Sequence, residues 1–173
     1  MSENDHVKDA LEYSRHVKNR WTTYQHLGRT ITSPKQLKDY LKKDYTTEIV
    51  FLLVARAKWH EQSSVLGFCF CRRTWCHHIV LDFAASHPNA IRKAGGEVRG
   101  VGLSMLYSLV KFASSIDVNL VWGEATKNSH EFYETALKTA LKTPKISDHF
   151  FIDGDLYEHC IERHKLFELV VNA

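Results

Sequence analysis

The stretch Arg99-Gly100-Val101-Gly102-Leu103-Ser104 decides the reading of this chain, because a glycine-rich turn there runs straight into an apolar-periodic segment. Leu103, Leu106, Val110 and Ala113, supported by Leu109, recur at helical spacing, which predicts a helix opening inside the turn. The first turn of a helix carries N–H groups with no intrahelical acceptor and the positive end of the helix dipole. Glycines let phosphates approach that backbone without side-chain interference. An anion, and a diphosphate in particular, is the expected occupant. A nicotinamide dinucleotide would also need a parallel strand before the turn, the full glycine fingerprint and a ribose-binding acid. The segments upstream of Arg99 argue against that arrangement.

Upstream, Ile49 to Ala55 is a β-branched and aromatic run with no helical period, and Val65 to Cys71 follows after the polar segment Lys58 to Ser64. This spacing predicts an antiparallel hairpin, continued by a third strand over Trp75 to Ala85. Before the sheet, Ser33-Pro34-Lys35-Gln36 is a helix start with Leu37, Tyr40 and Leu41 on its buried face. Val7, Ala10, Leu11, Ser14, Val17 and Trp21 predict a further amphipathic helix. Downstream, Val118 to Ala125 reads as strand, and Asn128-Ser129-His130-Glu131 as a capping box opening a helix with Phe132, Ala136, Leu137 and Ala140. The chain then predicts strand His149 to Ile152, a turn at Asp153-Gly154-Asp155, and a last strand over Leu156 to Arg163. The expected fold class is α/β in the α+β sense, a mixed and mainly antiparallel central sheet flanked by helices, over 1–173 as a single domain.

The chain has 173 residues, a size that suits one core, with 44% hydrophobic and 25% charged residues. No run approaches the roughly 18 apolar residues a membrane helix needs, so no membrane partner is expected. A formal charge of +3, with scattered basic residues, gives no indication of nucleic-acid binding. Met1 to Asp9 lacks the apolar core of a secretory signal, and the four cysteines read as reduced thiols, so a cytoplasmic location is expected. A homodimer is compatible with the sequence.

The turn resembles the pyrophosphate loop of the GNAT family of acyl-CoA-dependent N-acetyltransferases, Arg/Gln-x-x-Gly-x-Gly/Ala, with Arg99, Gly102 and Ser104 at the matching positions. Serine replaces the usual last small residue. Asn128 with Phe132-Tyr133 resembles the family's second signature, and the order of elements over about residues 5 to 163 resembles the family's order. The resemblance implies acetyl-CoA as cosubstrate and an amine-bearing acceptor. It also implies cofactor contacts from Arg99, Gly100, Val101, Gly102, Leu103 and Ser104 to the diphosphate. Backbone contacts to pantetheine would come from Phe83, Ala84, Ala85 and Ser86, and a further contact from Asn128. Tyr133 would lie near the thioester sulfur and protonate the departing thiolate, and Arg92 and Lys93 would lie in the loop nearest the nucleotide phosphate.

Amine acetylation needs a proton acceptor for the attacking nitrogen. Alternation on the expected strand Trp75 to Ala85 puts His78 and Asp82 on one side, so Asp82 is the candidate base or substrate anchor, with His78 beside it and Glu124 a weaker candidate. A plain ion pair for Asp82, and plain packing for Tyr133 beside Phe132, are the competing readings of the same residues. Cys69, Cys71, Cys76, His77 and His78 match no familiar zinc spacing, and no metal is expected. Trp21, Tyr24 and His26 are candidates for the acceptor pocket. Two alternatives remain open at this level: a noncatalytic acyl-CoA-binding or interaction module, and a longer-chain N-acyltransferase.

Overall fold

The computed structural model describes residues 33–44, 46–59, 64–91, 95, 98–139 and 144–171, with backbone alone for 167–171. The chain divides into two units, Met1–Thr32 and Ser33–Ala173, and the described residues all lie in the second. The helix expected over Val7 to Trp21 and the pocket candidates Trp21, Tyr24 and His26 lie outside the described residues.

Helix α1, Pro34–Lys43, starts as its sequence dictates: Ser33 is extended and its hydroxyl accepts from the Gln36 N–H at 3.2 Å, while Pro34 fills the first turn. Leu37 and Leu41 are buried from it. Strands β1, Ile49–Arg56, and β2, Val65–Arg73, pair antiparallel, and β2 pairs antiparallel with β3, Ile79–Ser86. Helix α2, Val101–Ser115, then crosses to β4, Val121–Glu124, which runs parallel to β3. A parallel pair requires such a crossover. Helix α3, His130–Ala136, and strand β5, His149–Ile152, follow, with β5 antiparallel to β4. The sheet is five-stranded in the order β1-β2-β3-β4-β5, so the mixed, mainly antiparallel class is as expected.

Directly paired residues share a sheet face. Cys69, Cys71, Ile79, Leu81, Val121, Phe150 and Ile152 therefore form one face, and all are buried with Leu106, Leu109 and Val110 of α2. The other face carries Leu52, Phe68, Phe83 and Phe151, which remain exposed.

Three expectations are corrected. The third strand begins at Ile79 rather than Trp75, because Thr74 to His78 closes a turn in which the Thr74 N–H donates to the His78 carbonyl at 2.9 Å and His77 takes a left-handed φ of 64°. Alternation is also interrupted at Asp82: Phe70 faces Phe83 while Cys71 faces Leu81, so Asp82 is the extra residue of a β-bulge. Finally, the stretch expected as a last strand, Leu156 to Arg163, lies within helix α4, Gly154–Val171. The Asp153-Gly154-Asp155 turn signal was real, but it opens a helix: the Asp153 carbonyl accepts from the N–H groups of Leu156 and Tyr157 at 3.0 and 3.1 Å. Tyr157 and Cys160 then fall at helical spacing and are buried, and α4 packs against α2. Among the described residues no helix is long and apolar enough to cross a membrane.

The Tyr157 hydroxyl fixes this packing by donating to the Val118 carbonyl at 2.5 Å, with the Val110 carbonyl at 3.3 Å. Tyr157→Phe leaves those buried carbonyls without the donor and is expected to cost about 1–3 kcal/mol. Urea unfolding should show a lower midpoint at unchanged slope; an unmoved midpoint would remove this hydroxyl from the account of how α4 is held.

Candidate active site

The turn before α2 has the geometry its glycines allow. Gly100 sits at φ 78°, in the left-handed region, and as N-cap offers no side chain to the helix start. The first bond of the helix runs from the Ser104 N–H to the Gly100 carbonyl at 2.8 Å. Among the described residues no carbonyl accepts from the N–H groups of Val101, Gly102 or Leu103. These groups, with the helix dipole behind them, make an anion-binding end of a 15-residue helix. Arg99 is exposed beside it, Val101 is buried, and Gly102, Leu103 and Ser104 are half-buried.

A Cβ at Gly102 would lie 3.1 and 3.2 Å from carbons of the Phe132 ring. The absence of a side chain at Gly102 therefore seats α3 against α2 as well as exposing backbone. The Tyr107 hydroxyl strengthens that seat by donating to the Ala136 carbonyl at 2.9 Å. The two stretches singled out in the sequence, the glycine turn and Phe132-Tyr133, thus meet in space.

Strands β3 and β4 pair over only Ile79↔Val121, Val80↔Trp122 and Leu81↔Gly123. Beyond that vertex they part. Residues Phe83 to Ser86 continue to pair with β2, while the Ala125 N–H turns to the Asp148 carbonyl at 2.8 Å on the far side of β4. Phe83 and Ala84 are exposed, and Ala85 and Ser86 half-buried, along the gap so formed. The connection back to the glycine turn is pinned by His87 N–H to the Leu66 carbonyl at 2.7 Å and Val98 N–H to the Asn89 carbonyl at 3.0 Å. A short 3-10 turn spans Pro88–Ala90, and Arg92 and Lys93 lie outside the described residues.

Tyr133 projects from α3 onto the sheet and stacks on Phe150 with ring centroids 4.0 Å apart. It is 6% exposed, and burial pushes its phenol up to about 12, with the neighbouring Cys69 and Cys71 thiols acting in the same direction. Among the described residues no group hydrogen-bonds its hydroxyl. The capping box expected at Asn128 and Glu131 does not form: Ser129 is the N-cap, its hydroxyl is turned back to the Thr126 carbonyl at 3.1 Å, and Asn128 is exposed in the turn.

Asp82 and His78 are not brought together. Asp82 accepts from Arg72 Nε through both carboxylate oxygens, at 3.0 and 2.9 Å. His78 belongs to the turn before β3, where its ring nitrogen Nδ1 is 3.5 Å from Cys76 Sγ. It precedes Phe83 by five residues and lies outside the strand. Arg72 was missed from the sequence although the hairpin register could have found it, since Arg72 opposes Val80, two residues from Asp82. Phe150, which seats Tyr133, carried only its strand alternation as a signal.

No family model and no curated protein matches the chain. Among solved structures, the crystal structure of Tetrahymena GCN5 is similar to it at 14% identity, covering 68% of this chain and 76% of that one, with a TM-score of 0.41.

Cys69 and Cys71 beside Tyr133 are buried, whereas Cys76 is exposed. Burial pushes the Cys69 thiol up to about 11 and the Cys160 thiol up to about 12, and moves Cys71 in the same direction. An aromatic disulfide reagent at mildly alkaline pH is expected to titrate Cys76 rapidly in the folded protein and all four cysteines only in denaturant. Fast reaction at Cys69 or Cys71, located by peptide mass mapping, would contradict the packing around Tyr133.

Proposed function

We propose that this chain is an N-acetyltransferase of the GNAT kind, moving an acetyl group from acetyl-CoA to an amine-bearing acceptor. The observation that carries the reading is the opening between β3 and β4 with a helix N-terminus at its mouth. The diphosphate of coenzyme A meets the unpaired N–H groups of Val101, Gly102 and Leu103, with the Arg99 guanidinium and the Ser104 hydroxyl at the edge of the turn. Pantetheine lies along Phe83, Ala84, Ala85 and Ser86 as an added strand, using edge groups that β4 leaves unpaired, and Asn128 contacts it from the other side. The reading carries with it a cytoplasmic enzyme.

The thioester then ends near Tyr133. The acceptor nitrogen adds its lone pair to the thioester carbonyl carbon, the carbon–sulfur bond breaks, the sulfur leaves with the bonding pair and gains a proton, and the new amide loses one. Asp82 stands one residue past the vertex as a candidate for the acceptor side, but its ion pair with Arg72 suits a fixed charge better than a mobile proton carrier. His78, remote in the turn, takes no part in this scheme.

A phenol at about 12 donates poorly to a thiolate whose reference value is about 8.5; complete transfer would run uphill by about 5 kcal/mol. Tyr133 therefore serves best as a hydrogen-bond donor that stabilises charge developing on sulfur, the proton passing fully only as the product leaves. Packing at the vertex favours a short acyl group: a Cβ on Gly123 would lie 2.8 Å from the Leu81 carbonyl oxygen and 2.9 Å from the Phe150 ring, so the buried side is tightly filled at that level.

Calorimetry with purified protein is expected to detect coenzyme A. Ser104→Glu, which sets a carboxylate against the diphosphate, should weaken that binding at least about tenfold. Tyr133→Phe should lower kcat by about 10–100-fold and leave coenzyme A affinity within about twofold. No detectable affinity for coenzyme A would end the proposal; affinity without thiol release from acetyl-CoA across an amine screen would leave the noncatalytic module in its place.

A further inference from the structure

The vertex between β3 and β4 is closed on the face covered by helices. There Phe150 and Tyr133 stack, and Gly123 has no room even for a methyl group. The opposite face is the exposed one. Register fixes what that face presents: Trp122 pairs with Phe151 and Glu124 with His149, so these four side chains share it. The rings are gathered, with Trp122 to Phe151 at 6.2 Å, Trp122 to His149 at 6.3 Å and His149 to Phe151 at 6.4 Å between centroids. Phe83, across the opening, is 56% exposed and Phe151 53%.

The charges on this face differ in availability. Asp82 is neutralised by Arg72 and its side chain is only 11% exposed. Glu124 is one residue past the last β3–β4 pair, its side chain is 82% exposed, and its contact is His149 Nε2 at 3.9 Å. An exposed carboxylate beside aromatic rings complements a cation with an apolar body, since ring faces attract ammonium groups and cover alkyl or aryl surface.

We propose that this face is the acceptor site and that it takes a primary ammonium carried on an apolar or aromatic body, with Glu124 holding the nitrogen and Trp122, Phe151 and Phe83 covering the body. The assignment of the nitrogen as an acetyl acceptor rests on the acetyltransferase reading. The recognition itself does not, because it draws on side chains of this sheet face rather than on the helix N-terminus or the strand-edge backbone groups assigned to coenzyme A. The site selects against carboxylate-bearing amines, which Glu124 repels, and against polyamines, whose spaced charges interrupt the apolar body that the rings cover.

Binding of benzylamine and hexylamine to the full chain, followed by calorimetry in the absence of coenzyme A, tests this directly, with benzyl alcohol and spermidine as comparators. Benzylamine and hexylamine should bind more tightly than either comparator. Glu124→Gln should weaken benzylamine about tenfold without changing benzyl alcohol, and Phe151→Ala should weaken both. Glu124 and Phe151 are exposed, so both variants are expected to keep the wild-type unfolding midpoint. Absence of amine binding, or binding indifferent to both substitutions, would overturn the site. Failure of coenzyme A to bind while these amine results hold would instead overturn the acetyltransferase reading and leave the cation site standing.

Discussion

Strands β3 and β4 are hydrogen-bonded for three residue pairs and then separate, and the arrangement of the molecule around the candidate site follows from that break. Had the pairing continued, the backbone groups of Phe83 to Ser86 facing β4 would be consumed within the sheet. Two local features accompany the break. The bulge at Asp82 adds an unpaired residue to β3 where the last pair ends, which bends a strand and raises its twist. Beyond Glu124, the Ala125 N–H is already committed to Asp148 on the β5 side. The crossover that any parallel pair demands then delivers the N-terminus of α2 to the open end of the gap, where strand carboxyl ends and a helix dipole together favour an anionic ligand.

The gap is held by contacts that leave little slack. Gly102 admits the Phe132 ring at near-contact distance, Tyr107 ties the end of α3 to α2, and Tyr133 fills the space over Phe150. Each contact joins α3 to a different neighbour: the glycine turn, the body of α2, and the sheet. A helix of seven residues has little stability of its own, so its position depends on these tertiary contacts. The dependence matters chemically, because α3 carries Tyr133, whose ring stacks on Phe150 beside the vertex.

The elements with a local cause were legible in the sequence. Ser33, Pro34 and Gln36 specify a helix start through chemistry within one turn, and the apolar stripe of α2 is complete in itself. The glycine turn was legible for the same reason, since Gly100 and Gly102 act on their own backbone and immediate neighbours. Pairing register was not legible. Alternation placed His78 with Asp82, but it cannot detect a strand that begins four residues late or a bulge at the residue in question. The final helix failed through competition between signals: an Asp-Gly-Asp turn between β-compatible residues reads as a hairpin, and only the burial of Tyr157 and Cys160 against α2 selects the helix. Tyr133 was found by resemblance, whereas its altered acidity comes from its burial and from Cys69 and Cys71, which approach only after folding.

The two carboxylates flanking the vertex show how one charge type is given two uses. Asp82 sits at the bulge with Arg72 Nε donating to both of its oxygens, so its charge is balanced and its geometry fixed. Glu124 stands one residue past the same level of β4, with most of its surface in water and a single longer contact to His149. A solvated carboxylate contributes little to holding the fold. Its placement therefore has greater consequence for what approaches the vertex than for the vertex itself. The paired acid shapes the opening, and the solvated acid faces whatever enters it.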